Sequence, residues 1–454
     1  MVPQNGNVKH NLVLPETFSI TQFVDQYTDP SLIQRLLLIG MKCPRYAVEA
    51  YTLALQKIKD NTLNVSLYKE ASHFATLAKA NFDSTLLKES ETSNKDAFDI
   101  EWIVKAGSDF NEQLAKLNFD FSSIRFNSTV DSKTTDAILN LADLYILSGN
   151  LTEAIAILRR VESYRFEYQD YLKANSYMIK ASLLSQDFRL ILSLQSKFYK
   201  KCNTFHPNKA FIYSSFGISN MAIGNYKKAA EIFSSVEYSR ENDFMGMFTE
   251  KDIAMYGIIC ALASLPKLAI RTTCMKSINF LHFLEHDIQL KKSLECFLKG
   301  ELLEFSALIQ DKMILLEIDT YLRNIYPDLL KSVQNNLIVM YIIPRTTADL
   351  SVMATSCLFS SSDSLILALE QLISKGKIFC RLNLFQHYLE IDCSKNMDLY
   401  AESNLIKSDF HPEIDFKLNS VKSQLSNRTK ENISKKILFL SVQRDIDALK
   451  DFFL

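Results

Sequence analysis

Two stretches of this chain share one plan. SGNLTEAIAIL (148–158) and IGNYKKAAEIF (223–233) each open on a Gly-Asn pair followed by an apolar residue (Leu151, Tyr226). An alanine stands three positions further on (Ala154, Ala229), then an apolar pair, Ile157-Leu158 or Ile232-Phe233. Glycine and asparagine both tolerate left-handed backbone, so the pair marks a tight turn between two helices. Ala142, Tyr145 and Ile146 share one face of the helix before the first turn, and Ala154, Ile157 and Leu158 continue on the helix after it. A worn copy lies between them: LLSQDFRLILSLQ (183–195) places Gln186-Asp187-Phe188 where Gly149-Asn150-Leu151 stood. Gly149, Gln186 and Gly224 are then 37 and 38 residues apart.

A lone helical hairpin can end in Gly-Asn. Coincidence of period, turn and small residue points instead to stacked helix pairs, close to the roughly 34-residue tetratricopeptide period. Alanines fall where two helices approach closely. The ten glycines and nine prolines of 454 residues fit helices joined by short connections, because strand-rich folds consume both in turns.

The remaining text is organised around this array. Residues 1–30, punctuated by Pro3, Pro15 and Pro30, read as a flexible N-terminal extension. Helical repeats are expected over 31–330. RYAVEAYTLALQKIKD (45–60) sets Ala47, Tyr51, Leu55 and Ile58 on one face, and VSLYKEASHFATLAKA (65–80) reads as its antiparallel partner. A polar loop follows at 84–97, and further helices over 101–124, 250–265, 275–300 and 301–326.

The texture changes at 331–393. RTTADLSVMATSCL (345–358) reads as a helix with a threonine N-cap and a stripe of Leu350, Met353, Ala354 and Cys357. SSSDSLILALEQLISKGKI (360–378) has Ser/Asp capping, a stripe of Leu365, Leu369, Leu372 and Ile373, and Gly376 as its stop. KIFCRLNLFQHYLEID (377–392) is rich in strand formers and reads as a two-stranded hairpin. Helices closed by a two-stranded wing make a winged-helix plan. Residues 394–428 read as linker, and 429–454 as a terminal amphipathic helix with Leu438, Val442, Ile446, Leu449 and Phe453 on one stripe. The expected fold is mostly α: a tetratricopeptide-like array, a winged helix and a C-terminal helix.

Composition narrows the function classes. A net charge of −1 supplies no field for nucleic acid or an anionic membrane. The longest apolar run, LIVMYII (337–343), is too short to span a bilayer. The eight cysteines form no C-x-x-C pair and read as reduced, mostly buried thiols. HFLEH (282–286) fits the H-x-x-E-H zinc pattern, with His282 and His286 one helical turn apart and Glu285 as a possible base. No third ligand can be nominated, and two ordinary surface or partly buried histidines account for it. Phosphate-loop, dinucleotide and nucleophile-elbow patterns are absent, as is the JAMM metalloprotease pattern. Residues 361–374, the helix that would enter a DNA groove, carry Asp363 and Glu370 and no basic residue. No enzyme activity, metal or cofactor is expected.

A repeat array ending in a winged helix and a terminal helix resembles the PCI-domain proteins, scaffold subunits of the proteasome lid, the COP9 signalosome and a translation initiation complex. One signalosome subunit family is matched in order by NVSLYKEASHF (64–74), SGNLTEA (148–154), NYKKAAEIF (225–233) and EKDIAMYGIICALASL (250–265), and then by 315–354. Tyr256-Gly257 and Cys260-Ala261-Leu262-Ala263 carry the resemblance most closely. The departures are Ile258, where the family has a second glycine, and Ile343-Pro344-Arg345 at the winged-helix entry.

The resemblance implies a scaffold whose partners are sister PCI and MPN-type subunits, and through them cullin-RING ligases. A JAMM metalloprotease in another subunit then removes Nedd8 from the cullin. It implies residence in cytoplasm and nucleus. The proteasome-lid counterpart, or a PCI adaptor of another complex, is the alternative. The residues expected at interfaces are Ile378, Cys380, Leu382, Phe385, His387, Tyr388, Leu389 and Ile391 of the wing, and the stripe Leu438, Val442, Ile446, Leu449 and Phe453. A wing edge can pair with another strand, and a wide apolar stripe asks for partner helices.

Overall fold

All three turn positions adopt one conformation in the computed structural model. Gly149 has φ +83°, Gly224 +88° and Gln186 +58°. The hydrogen bonds repeat as well. Gly149 N donates to Ile146 O and Asn150 N to Tyr145 O; Gln186 N donates to Leu183 O and Asp187 N to Ser182 O; Gly224 N donates to Met221 O and Asn225 N to Asn220 O. Each is the paired helix stop that a left-handed residue makes possible. Glutamine at the middle position keeps the geometry without a glycine, and its Nε2 reaches Thr320 O at 3.4 Å.

The structure describes residues 14–15, 18–27, 31–85, 99–124, 132–161, 168–199, 208–239, 243–383, 387–392 and 395–396. The helices run α1 (Ile20–Gln26), α2 (Ser31–Lys42), α3 (Ala47–Asn61), α4 (Val65–Thr85), α5 (Ile100–Ile124), α6 (Ser132–Leu147) and α7 (Leu151–Val161). They continue with α8 (Tyr168–Leu184), α9 (Phe188–Tyr199), α10 (Asn208–Ala222), α11 (Tyr226–Ser235), α12 (Glu250–Ser264) and α13 (Lys267–Ile270). Next come α14 (Ile278–Glu285), α15 (Ile288–Lys299), α16 (Leu302–Leu316) and α17 (Tyr326–Ile342). The series closes with β1 (Thr347–Asp349), α18 (Leu350–Ser356), α19 (Ser362–Ser374), β2 (Cys380–Asn383) and β3 (Tyr388–Ile391).

The chain forms two compact units. One holds the described residues up to 264 with 270–291 and 309–330; the other holds 265–269, 292–308 and the described residues from 331 onward. In the first, α6 packs on α7 and α8, α8 on α10, and α10 on α11 and α12. This is the stacking expected of repeats, with Ala142, Ala154, Ala181 and Ala229 fully buried at the close approaches. Helix α12 is buried all round, from Ile253 to Leu262. Gly257 is required there because a Cβ would lie 2.6 Å from the Phe280 ring. Ile258, where the resemblance has glycine, is fully buried.

Several sequence expectations change. The N-terminal extension is not loose where it is described: α1 is a helix, and Leu14 and Ile20 are buried. On α3, Ala47, Tyr51 and Ile58 are buried with Ala50 and Ala54, while Leu55 is only half-buried. The inward stripe therefore lies slightly round the helix from the one read. Ser84 and Thr85 end α4 rather than opening a loop. The segment 275–300 is two helices, because the Ser277 hydroxyl accepts from Phe280 N to start α14 and the helix stops at His286. The segment 301–326 breaks after α16, where Asp319 Oδ1 accepts from Tyr321 N and Leu322 N and competes with the helical ladder.

The second unit carries the winged helix, in the order α17–β1–α18–α19–β2–β3. The sheet has three strands, in spatial order β1-β3-β2 and antiparallel throughout. The expected threonine N-cap is instead part of β1, and Asp349 caps α18 by accepting from Ser351 N and Val352 N. Ser361 caps α19 as expected, and Gly376 at φ +64° stops it. The four-residue stripe of α18 is buried, as are Leu365, Leu369 and Leu372 of α19.

Candidate protein-interaction edge

The sheet's register decides which backbone groups are spent and which face outward. Cys380 stands opposite Ile391, Arg381 opposite Glu390, Leu382 opposite Leu389 and Asn383 opposite Tyr388. Asp392 N donates to Phe379 O at 3.1 Å. Hydrogen-bonded pairs in an antiparallel ladder recur every second residue, so Phe379, Arg381 and Asn383 turn their backbone toward β3. Cys380 and Leu382 therefore turn theirs to the outer edge. On the other side, Leu350 N donates to His387 O and Ile391 N to Thr346 O, which places Thr347 and Asp349 outward on β1. Among the described residues no further strand pairs with β2.

One side chain completes the β3-facing side where β2 begins. Buried Asn396 accepts from Phe379 N at 2.8 Å through Oδ1 and donates from Nδ2 to Phe379 O and Asp392 O. Beside β2 lies a shallow cleft of about 460 Å³ lined by Ile373, Phe379, Arg381, Glu390, Asp392 and Lys395 among others. The sheet's outward face sets Arg381 against Glu390 across the strands, a favourable opposite-charge pair. Tyr388 Oη donates to Glu390 Oε1 at 3.1 Å.

The expected interface residues divide on this frame. Ile378, Leu389 and Ile391 are buried, and Cys380 and Leu382 are half-buried on the same inward face. The side chains of Ile378, Leu389 and Ile391 are thus taken up in the subdomain's own core. Cys380 and Leu382 offer backbone instead, and burial pushes the Cys380 thiol up to about 11. His387 is exposed at φ +53° and Tyr388 half-buried on the outward side. Phe385, Leu438, Val442, Ile446, Leu449 and Phe453 lie outside the described residues, as does the linker apart from Lys395 and Asn396. Phe379, Arg381, Lys395 and Asn396 were passed over in the sequence. Strict alternation along 378–382 was the signal that could have assigned Phe379 and Arg381 outward.

The HFLEH histidines are not poised to chelate. His282 Nδ1 lies 3.3 Å from Glu285 Oε2 and stacks on Tyr238 with ring centres 5.1 Å apart. His286 Nε2 lies 3.2 Å from Tyr238 Oη and 3.6 Å from Glu250 Oε2. Among the described residues, only Cys296, Glu301 and Glu304 bring three potential ligands close enough to share an ion. Burial, with Glu304 and Glu301 beside it, pushes the Cys296 thiol up. The outward side of α19 carries Asp363, Leu367 and Glu370, all exposed. Acid and hydrocarbon do not suit a phosphate backbone. No helix among the described residues is long and apolar enough to cross a membrane.

Comparison with known proteins places these features. Residues 99–273 match the family model of 26S proteasome subunit RPN7. COP9 signalosome complex subunit 1 of Arabidopsis thaliana is 24% identical over 427 residues, covering 88% of this chain and 92% of the relative. COP9 signalosome complex subunit 1b of Drosophila melanogaster is 23% identical over 424 residues, covering 84% and 80%. Subunit 1 of Emericella nidulans is 21% identical over 388 residues, covering 82% and 75%. The chain is thus a helical-repeat and winged-helix protein with an RPN7-type segment in its array, similar along most of its length to COP9 signalosome subunit 1.

Proposed function

We propose that this chain is a non-catalytic scaffold subunit of a COP9-signalosome-type complex. Collinear similarity to signalosome subunit 1 from an animal, a plant and a fungus carries the reading. The β2 edge supplies a means of assembly, because among the described residues no strand pairs with the outward backbone of Cys380 and Leu382, and a sister subunit's strand can add there. The terminal stripe Leu438, Val442, Ile446, Leu449 and Phe453 would gather with helices of the same partners. Removal of Nedd8 from cullin-RING ligases would then occur at a metalloprotease site on another subunit, with this chain in cytoplasm and nucleus.

The test is tagged purification with partner identification by mass spectrometry. The unmodified chain is expected to bring down PCI and MPN-type subunits and cullin-deneddylating activity. Leu382→Pro removes an outward N–H and leaves the β3 ladder intact, so it should lose partners while the chain stays folded. Deleting 429–454 should weaken assembly as well. A chain that purifies alone overturns the reading. A second reading, a proteasome-lid subunit, is favoured by the RPN7 match over 99–273. Co-purification with ubiquitin-processing rather than deneddylating particles would select it.

A further inference from the structure

The first unit buries a charge cluster that joins three distant parts of the chain. Arg35 on α2 is 3% exposed. Its Nη1 donates to Asp319 Oδ2 at 2.7 Å, and its Nη2 lies 3.4 Å from Asp252 Oδ2. Tyr256 Oη donates to the same Asp319 oxygen at 2.7 Å, and Tyr27 Oη to Asp252 Oδ1 at 2.8 Å. The guanidinium lies 4.2 Å from the centre of the Tyr27 ring. Asp319 Oδ1 takes the two backbone donors after it, and Asp252 Oδ2 accepts from Thr249 N at 3.0 Å. Arg35 Nε finds no acceptor among the described residues. One cation is thus shared by two carboxylates out of water.

What this cluster holds in place has a core of its own. Leu32, Ile33, Leu36 and Ile39 of α2 are buried with residues of α1, α3 and α4. Ile314, Leu315 and Ile318 of the 314–322 stretch join that core, as do Trp102 and Ile103 of α5. Two further hydrogen bonds run from this region to that stretch and to the first repeat turn: Lys42 Nζ donates to Glu317 O and Leu63 N to Leu147 O. Arg35 sits on a helix that is buried nearly all round, and a buried pair broken on one side leaves an uncompensated ion there.

We infer that Arg35, Asp252 and Asp319 form a charge latch, which seats the α1–α4 module on the array and lets it release as a unit when the latch is broken. The latch makes the seat conditional, since α2 can bury Arg35 only where residues 249–256 and 317–322 are already in place. It sets specificity of docking rather than bulk stability.

Hydrogen exchange by mass spectrometry on the full-length chain tests this. Asp319→Asn should speed exchange across α2 and α3 by at least about tenfold while α10, residues 208–222, keeps its protection. The triple variant Arg35→Met/Asp252→Asn/Asp319→Asn removes all three charges and keeps an amide oxygen at 319 for Tyr321 N and Leu322 N; it should restore protection of α2 and α3 to the unmodified level. Equal acceleration in α10 would make the cluster a pillar of the whole unit and overturn the latch. So would unchanged exchange in α2, or a triple variant no better than the single one.

Discussion

Gly149 and Gly224 occupy the same turn of two repeats, and their difference separates two costs that usually arrive together. Both have left-handed backbone, which costs an alanine about 1–2 kcal/mol. Alanine also loses less entropy on folding, by about 0.5–1 kcal/mol, so Gly224→Ala should cost about 1 kcal/mol net. A Cβ on Gly224 meets nothing within 4 Å. A Cβ on Gly149 would run into the Asn64 side chain. Asn64 cannot swing aside freely, because its Oδ1 accepts from Leu67 N at 3.0 Å and caps α4. Losing that cap adds about 1 kcal/mol, for roughly 2 kcal/mol in total. Thermal unfolding followed by circular dichroism should show a drop of about 1–2 °C for Gly224→Ala and about twice that for Gly149→Ala. With Asn64 already alanine, Gly149→Ala should fall back to the smaller value. Equal costs for the two glycines in the unmodified background would refute the reasoning.

Leu389, fully buried at the centre of the sheet, should cost about 2–5 kcal/mol on substitution by alanine and open the winged helix to limited proteolysis, with cuts confined to 347–391. Hydrogen bonds from Ser351, hydroxyl first and then backbone, with Val352 N, hold the Asp349 carboxyl below its usual range. Its stabilisation of α18 is therefore complete above the unfolded-state value of about 3.9 and is lost as pH falls through the lower folded-state value. Amide exchange in 350–356, corrected for intrinsic rates, should be unchanged from pH 7 to 5 and rise below about 3.9, and Asp349→Ala should abolish that dependence. Purified protein should hold no stoichiometric zinc by elemental analysis, and His282→Ala should leave its metal content unchanged.

The legible parts of the fold were those written in local periodicity. Repeat turns at 149 and 224 could be read because each carries a Gly-Asn pair and its own alanine, and the worn turn at 186 by its spacing from them. The stripes of α18 and α19 were legible for the same reason. Breaks at His286 and after Leu316 were not, because apolar spacing continues across both and the decision lies in caps from Ser277 and Asp319. The wing was found, but its third strand was hidden inside what reads as a helix start: Thr347–Asp349 is extended only because Leu389 and its neighbours offer a ladder. Apolar residues of the wing looked like an interface because hydrophobicity alone does not say which side of a strand is already covered.

The sequence by itself determined a helical-repeat chain with a winged helix after it, since periodicity, turn residues and scarcity of helix breakers act within a few tens of residues. Only the tertiary structure decided that Cys380 and Leu382 carry the open backbone, because ladder parity is set by the partner strand. Likewise, only folding brings Arg35 to Asp319 across 284 residues. A buried ion pair leaves no periodic trace in the text; it forms where two otherwise ordinary positions meet out of water.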